Sequence, residues 1–570
     1  MRIMLVSFRF GKGIPGGAER YMWELMSRLA RGGHEVEVFT TCSLQMVRSP
    51  FGYCLWDNAL PQGSQEEEGV LTRRYPVNNP APRRAKRYWE QLILENEKVR
   101  RKPEFIACMQ EALAGSGEHC FLTGWHASEE RDDGHVRWSA QQAHLLAAGD
   151  GISEVRLEVS APLDEDLSLQ VDDGKPLRFT LEKGRRQSVQ ATFSPRGSVT
   201  VGIGVPKVFR PPQDGRDLGV LVHRAEVRDG GASRELDISR GWDEFVSTGP
   251  EEVLGKALWW RAQNLPAKCS RKHRYVMGPR SPRMEREVKS MAGGFDIILG
   301  CMAPMSSLAL AAEAAAGAGR PFIAIPLFHP RDTNHYYDHL YEAMAGAQGV
   351  EANLQGIADI MRAWGFNAFA VGPGFDLEEL LSPRIDGGRF RREFGLEDVP
   401  LLLWVARKNS GKGYREAAAA LAHVRGEGFP AELVMIGPEE DYLPVSGEGV
   451  HYLGPLPRDK VLDAYDACDI FLFPSLYESF CLVFGEAWLR GKPVLGNAWC
   501  AAARDQITHG QDGYLCHGPV EYGDMALKLL RDPALSREMG ERGKEKVVTM
   551  RGWDRVAAEF EAKLREIAGA

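Results

Sequence analysis

Residues 471–495, FLFPSLYESFCLVFGEAWLRGKPVL, limit the fold more than any other stretch. An apolar run, Phe471–Phe473, is fed by Ile470 and closed by Pro474 and Ser475, as a strand ending in a turn would be. From about Phe480, Leu482, Val483, Glu486 and Leu489 recur three or four apart, the period of a helix. Gly491 stops that helix, Pro493 prevents its continuation, and Val494–Leu495 opens another strand. Two carboxylates mark the unit: Glu478 in the loop and Glu486 about two turns along by helix geometry. A helix N-terminus after a strand offers unpaired N–H groups and a positive dipole end, which suits an anion such as a diphosphate. Glu478 beside it can accept hydrogen bonds from sugar hydroxyls, and Glu486 can reach a ribose. An ordinary strand–helix junction with surface glutamates has the same spacing, so the neighbouring segments decide between the two.

Those segments repeat the alternation of strand and helix. Ile3–Ser7 reads as a buried strand, Ala18 to about Arg31 as a helix ended by Gly32-Gly33, and Val36–Thr40 as the next strand. This β-α-β opening suits a parallel sheet. In the loop Phe8–Gly17, Gly16 and Gly17 lack Cβ atoms, so their N–H groups can approach a phosphate or sugar closely. A flexible turn needing positive φ reads the same way. The loop is not a G-x-G-x-x-G fingerprint with a downstream ribose-binding acid, which argues against a dinucleotide oxidoreductase. Phe295–Gly300, an Ala-rich helix from about Ser306, and Pro321–Leu327 resume the pattern and place His329 just beyond a strand's carboxyl end, where open α/β sheets bind ligand. Its imidazole can hold a hydroxyl or move a proton near neutral pH. After the strand Leu401–Val405, Arg407 and Lys412 lie in a glycine-containing loop before a helix starting near Tyr414: two cations and a helix N-terminus, as a phosphate site requires.

In order along the chain, GGAER (Gly16–Arg20), WVARKNSGKG (Trp404–Gly413), YLGPLPRDKVLDAYDACDIFLFPS (Tyr452–Ser475) and ESFCLVFGEA resemble the retaining GT-B glycosyltransferases of family four, the glycogen-synthase and bacterial-mannosyltransferase type. The last is similar to that family's E-x7-E element, and the second to its Arg-x4-Lys-Gly phosphate clamp. The likeness covers residues 1–115 loosely, 295–376 moderately and 400–520 closely; residues 118–233 fall outside it. It implies an α/β GT-B architecture of two Rossmann-like domains facing a cleft; the alternating pattern of residues 118–233 adds an all-β sandwich inserted in the first. The domains expected are residues 1–117 and 234–375, the insert 118–233, a donor-binding domain 376–552, and a helix 553–570 that returns to the first domain. The resemblance implies catalytic roles for Glu478, His329, Arg407 and Lys412. Donor contacts are implied at Gly16, Gly17, Ser479, Phe480, Cys481, Leu482 and Glu486, with the backbone of Leu456 bordering the nucleobase. No metal or other cofactor is expected; the donor is a UDP- or GDP-linked sugar, transferred with retained anomeric configuration to a glycan or glycolipid hydroxyl, in cell-surface polysaccharide synthesis. The sequence departs from the family twice: Cys301 stands where many relatives carry histidine, and Cys481 where they commonly have glycine. An epimerase or hydrolase on the same fold and a non-catalytic sugar-binding protein remain the alternatives.

Between about Glu118 and Gly230 apolar residues alternate with polar ones: Val155, Leu157 and Val159, then Leu167–Val171, Leu177–Leu181, Val189–Phe193 and Val199–Val205. Turns at Asp172-Asp173-Gly174, Lys183-Gly184 and Pro195-Arg196-Gly197 separate them, which predicts a β-sandwich. Trp125, His126, Arg137 and Trp138 either stack and bond a sugar or belong to its core. Arg83–Lys102 is predicted as a helix with basic ends and a stripe of Tyr88, Trp89, Leu92 and Ile93, facing an anionic membrane or packed on its own sheet. With 570 residues and a net charge of −8 the chain expects two to four domains and carries no polyanion-binding signature, so nucleic acid is not an expected partner. Ten scattered cysteines without a C-x-x-C pair indicate neither zinc nor a disulfide framework, and the short apolar stretch at the N-terminus reads as a strand rather than a signal segment. A cytoplasmic protein, with peripheral contact to the inner face of the membrane as one option, is the expectation.

Overall fold

A computed structural model describes residues 1–14, 16–48, 54–114, 116–131, 134–211, 216–396 and 399–569; Pro15, inside the glycine-bearing loop, lies outside them. The chain divides into two compact units, residues 1–89 with 270–570, and residues 90–269.

The first unit holds two parallel sheets. In one, the strands run Ala368–Ala370, Gly349–Ala352, Phe322–Ile325, Ile297–Cys301, Arg2–Val6, Glu35–Thr41, Val70–Tyr75 and Gly63–Glu67, in that spatial order. All neighbours are parallel except the last pair, a hairpin. Chain order reverses between Arg2–Val6 and Ile297–Cys301, so their carboxyl ends open a crevice at a switch point. The central strands Arg2–Val6, Ile297–Cys301 and Phe322–Ile325 are nearly continuous buried apolar runs, as strands covered on both faces are. Helix Trp553–Ala568 places Trp553, Val556, Phe560 and Leu564 in the same core as Ile3, Leu5 and Leu25, and Trp553 stacks on Tyr21.

The second sheet has six parallel strands: Val450–Gly454, Glu432–Ile436, Leu401–Val405, Ile470–Phe473, Val494–Asn497 and Gly513–Cys516. Its order reverses between Leu401–Val405 and Ile470–Phe473, which pair through Leu402 with Ile470 and Leu403 with Phe471. The Arg407–Lys412 loop leaves one of these strands and the Glu478 loop leaves the other.

The unit of residues 90–269 is largely β. The sandwich expected from the alternating pattern is here one seven-stranded, continuously hydrogen-bonded sheet. Two stretches expected as separate strands, Val189–Phe193 and Val199–Val205, fall on one long strand, Gln187–Gly204, with Val205 just past its end. Pro195-Arg196-Gly197 is an irregularity within it rather than a turn, with register shifts between Thr192 and Ser198 opposite Gly134–Ser160. Pro195 has no N–H to give a ladder, and a bulge tolerates that. Leu145, Ala147, Val155, Leu157, Val199 and Val201 all face one buried core, so the sheet encloses its own apolar face.

Trp125, His126 and Arg137 are occupied in holding this unit together. Trp125 donates to the carbonyl of His144 and packs edge-on against Phe121, and His126 bonds the carbonyl of Asp217. Arg137, buried, donates to the carbonyls of Ile238, His126 and Ser239.

Candidate active site

The Arg407 loop is anchored by the residue beside it. Lys408 is buried and donates to Glu439 at 2.8 Å, Asp441 at 3.0 Å and the carbonyl of Leu443, lying over the rings of Tyr414 and Tyr452. With Lys408 fixed, Arg407 points outward, pairs with Glu440 and is half exposed. Farther along, Trp404 donates to the carbonyl of Lys412, and Gly413 caps helix Tyr414–Gly426. A Cβ on Gly413 would stand 2.4 Å from the carbonyl oxygen of Pro474, and its φ is +71°, so only glycine lets this loop close on the Glu478 loop. Lys412 Nζ then lies 2.5 Å from Glu478 Oε1 and 3.3 Å from the carbonyl of Tyr477. Ser475 Oγ donates to the same Glu478 oxygen at 2.7 Å.

Helix Leu482–Leu489 begins at Cys481, which holds a left-handed backbone at φ 64° and is buried. Burial pushes its thiol pKa up, so it stays protonated. Phe480 is buried against Phe375 with the Arg551 guanidinium over its ring, and Ser479 Oγ accepts from Asn353 Nδ2 at 3.1 Å. Asn353 follows strand Gly349–Ala352 of the first sheet, so this bond ties the two lobes. Gly16 and Gly17 approach from the same side. A Cβ on Gly17 would be 3.0 Å from Leu482 Cδ1, and one on Gly16 would overlap the Glu19 carboxylate. Leu456 is half-buried between strand Val450–Gly454 and helix Arg458–Ala467, two residues before Arg458.

Glu486 sits in a network that the sequence did not disclose. Arg458 Nη1 lies 2.8 Å and Arg20 Nη1 3.8 Å from its Oε1. Both arginines also pair with Glu379, at 3.0 Å each. A crevice is lined by Arg20, Phe375, Leu482 and Glu486. Arg20 lies within the GGAER motif, but its partners follow from tertiary structure.

From the first lobe, His329 faces the cation loop. Burial, then His335, Lys412 and Arg407, lower its pKa to about 3, so its imidazole is neutral at neutral pH. Of the two sequence expectations, holding a hydroxyl and shuttling a proton near neutral pH, a neutral ring suits the first. His335 Nδ1 accepts the backbone N–H of His329 at 3.2 Å, and the two rings stack 5.1 Å apart at 17°. Next to His329, Arg331 Nε donates to the carbonyl of Trp499 in the opposite lobe at 2.7 Å. His329, Asp332 and His335 bring ligand-type atoms within 4.8 Å of one another. They make a poor cation cage: His335 Nδ1 already accepts a proton donor, which leaves Nε2 protonated when the ring is neutral, and lone pairs of near-parallel stacked rings do not converge.

A cavity of about 620 Å³ lies elsewhere. It opens between helices Ser306–Ala318 and Asp338–Ala345 at the amino ends of the first sheet's strands, and holds none of the candidate residues. In the cleft, by contrast, charged side chains fill the space by pairing with one another.

Residues 388–546 match the family described as glycosyl transferases, group 1. Among curated proteins, N-acetyl-alpha-D-glucosaminyl L-malate synthase of Bacillus anthracis is 27% identical over 32% of this chain and 50% of its own length. D-inositol 3-phosphate glycosyltransferase of Corynebacterium glutamicum is 30% identical over 33% of this chain and 49% of its own. The chain thus spans about half the length of these relatives. Among solved structures, sucrose-phosphate synthase from Thermosynechococcus elongatus aligns with a TM-score of 0.50 and 14% identity, covering 99% of this chain and 98% of that one. This is a likeness of fold, GT-B-like and two-lobed.

Proposed function

We propose that the protein is a glycosyltransferase that moves a hexosyl unit from a nucleoside diphosphate sugar to a hydroxyl of a glycan or glycolipid, retaining anomeric configuration. The observation that carries this reading is the meeting of Arg407, Lys412, Glu478 and the start of helix Leu482–Leu489 at one switch point, with His329 and Gly17 facing them from the other lobe. The family match over residues 388–546 covers most of those residues.

In the reaction the bond from the anomeric carbon to the donor phosphate breaks, the acceptor oxygen bonds that carbon, and the acceptor proton leaves with the diphosphate or its surroundings. The diphosphate gains negative charge as it departs. Arg407, Lys412, the N–H groups at Ser479–Leu482 and those of Gly16-Gly17 stabilise it without reorganising. Side chains thereby take the charge-neutralising role, and no metal is assigned. Glu478 orients sugar hydroxyls and Glu486 takes the ribose, while neutral His329 bonds the sugar from the opposite face. The Asn353–Ser479 and Arg331–Trp499 bonds hold the lobes together and limit water entry. Uridine or guanosine as the base, and cell-surface polysaccharide as the product, belong to the same proposal.

Among the described residues no helix is long and apolar enough to cross a membrane. Helix Pro82–Arg100 exposes Ile93 and Leu94 between cationic ends, which supports peripheral contact with an anionic bilayer surface. Sedimentation with anionic vesicles, lost in an Ile93→Ser/Leu94→Ser variant, tests it. The central test is a panel of UDP- and GDP-hexoses scored by rise in Tm, followed by transfer to sugar acceptors and NMR of the new anomeric centre. Stabilisation by no nucleotide sugar, or an inverted product, overturns the corresponding part.

A further inference from the structure

Beside the Arg407 loop runs a second loop, residues 438–441, with three acids in succession. Their backbones are laced together: Lys408 N donates to the carbonyl of Pro438 at 2.8 Å, and Glu440 N to that of Lys408 at 3.1 Å. The side chains divide by burial. Glu439 and Asp441 turn in and hold Lys408, which is 1% exposed. Glu440 turns toward solvent and accepts from Arg407 Nη1 at 2.8 Å and Asn409 Nδ2 at 2.7 Å. In this pair Arg407 is 55% and Glu440 36% exposed.

We propose that Glu440 is a displaceable counter-carboxylate that occupies the Arg407 clamp until a donor diphosphate takes its place. This rests on the reading of the cleft as a nucleoside diphosphate site. A carboxylate held by a guanidinium and an amide uses the same donor directions that a phosphate would use. An ion pair this exposed is weakly held, so a ligand of higher charge that also gains Lys412 and a helix N-terminus outcompetes it. Because Lys408 is anchored by different acids, departure of Glu440 leaves the loop backbone in place, and Arg407 is handed over without rebuilding the site. Glu440 thus sets how tightly the donor and the nucleoside diphosphate product bind.

The test is Glu440→Gln, with calorimetric titration of UDP, GDP and inorganic pyrophosphate into the full chain. Glu440→Gln is expected to bind the preferred diphosphate about three- to fivefold more tightly than wild type, the size of one exposed ion pair. The gain should vanish in an Arg407→Ala background, and the unchanged melting temperature of Glu440→Gln confirms folding. Equal or weaker binding by Glu440→Gln overturns the proposal and makes Glu440 an orienting group for Arg407. Wild type that binds a nucleoside diphosphate undiminished by Arg407→Ala also overturns it while leaving the donor-site reading intact. Wild type that binds none of the three probes removes that reading and this proposal together.

Discussion

Lys412 Nζ lies 2.5 Å from Glu478 Oε1, across the point where the strand order of the second sheet reverses. Both side chains are mostly buried, at 16% and 14% exposure, so neither is free to drift when a donor arrives. Lys412→Met should lower the transfer rate about 100-fold, the typical loss on removing one fixed donor to developing charge. It should also lower Tm, since among the described residues Glu478 then keeps only Ser475 as a side-chain donor. Glu478→Gln preserves shape and should cost rate more than stability. Initial rates and thermal melts of both variants check this, and unchanged transfer in either removes that residue from the mechanism.

His329 should contribute no inflection near pH 6.5 to the rate profile, because it stays neutral in the folded protein down to about pH 3. Its depressed pKa also fixes a direction for stability. Below pH 6.5 the unfolded chain takes up a proton that the native ring refuses, so stability falls as pH drops toward 3. His329→Gln should therefore lose less Tm between pH 7 and pH 4 than wild type does. An identical decline in the two proteins would contradict this account.

Glu351 has the opposite sign. It is fully buried, accepts from Tyr21 and from the backbone of Gly372, and burial raises its pKa to about 7. The neutral acid is the form the fold prefers, so its stabilising contribution is complete below the ordinary value of 4.5 and lost as pH rises through 7. Glu351→Gln, neutral at every pH, should be more stable than wild type at pH 8 by on the order of 2 kcal/mol and lose that advantage near pH 4.5. Urea titrations at the two pH values measure it.

Arg137 separates a sugar-binding reading of the β unit from a structural one. Arg137→Met leaves the carbonyls of Ile238, His126 and Ser239 without this donor and should destabilise the fold by ~3 kcal/mol. A variant that melts like wild type yet loses binding on a glycan array would restore the sugar-binding role.

Much of the framework was legible because its causes are local. The strand Leu401–Val405 falls where the apolar run predicted it, and the helices near Ser306, Tyr414 and Trp553 begin close to the expected residues. Glycines, prolines and apolar periods act within a few residues, so they show in the sequence. The reading of Val189–Phe193 and Val199–Val205 as two strands failed because Pro195 and Gly197 signal a turn and a bulge alike.

The sequence by itself determined that strands and helices alternate and that Gly16-Gly17, His329, Arg407, Lys412 and Glu478 each follow a strand. Tertiary structure alone decided which charges meet. Arg20 and Glu379 are 359 positions apart, yet they share a network with Arg458 and Glu486. It also made Lys408 the buried anchor, left Arg407 half exposed beside it, and turned Arg137 inward. A short-range pattern fixes backbone direction, whereas pairing and desolvation depend on where distant loops come to rest.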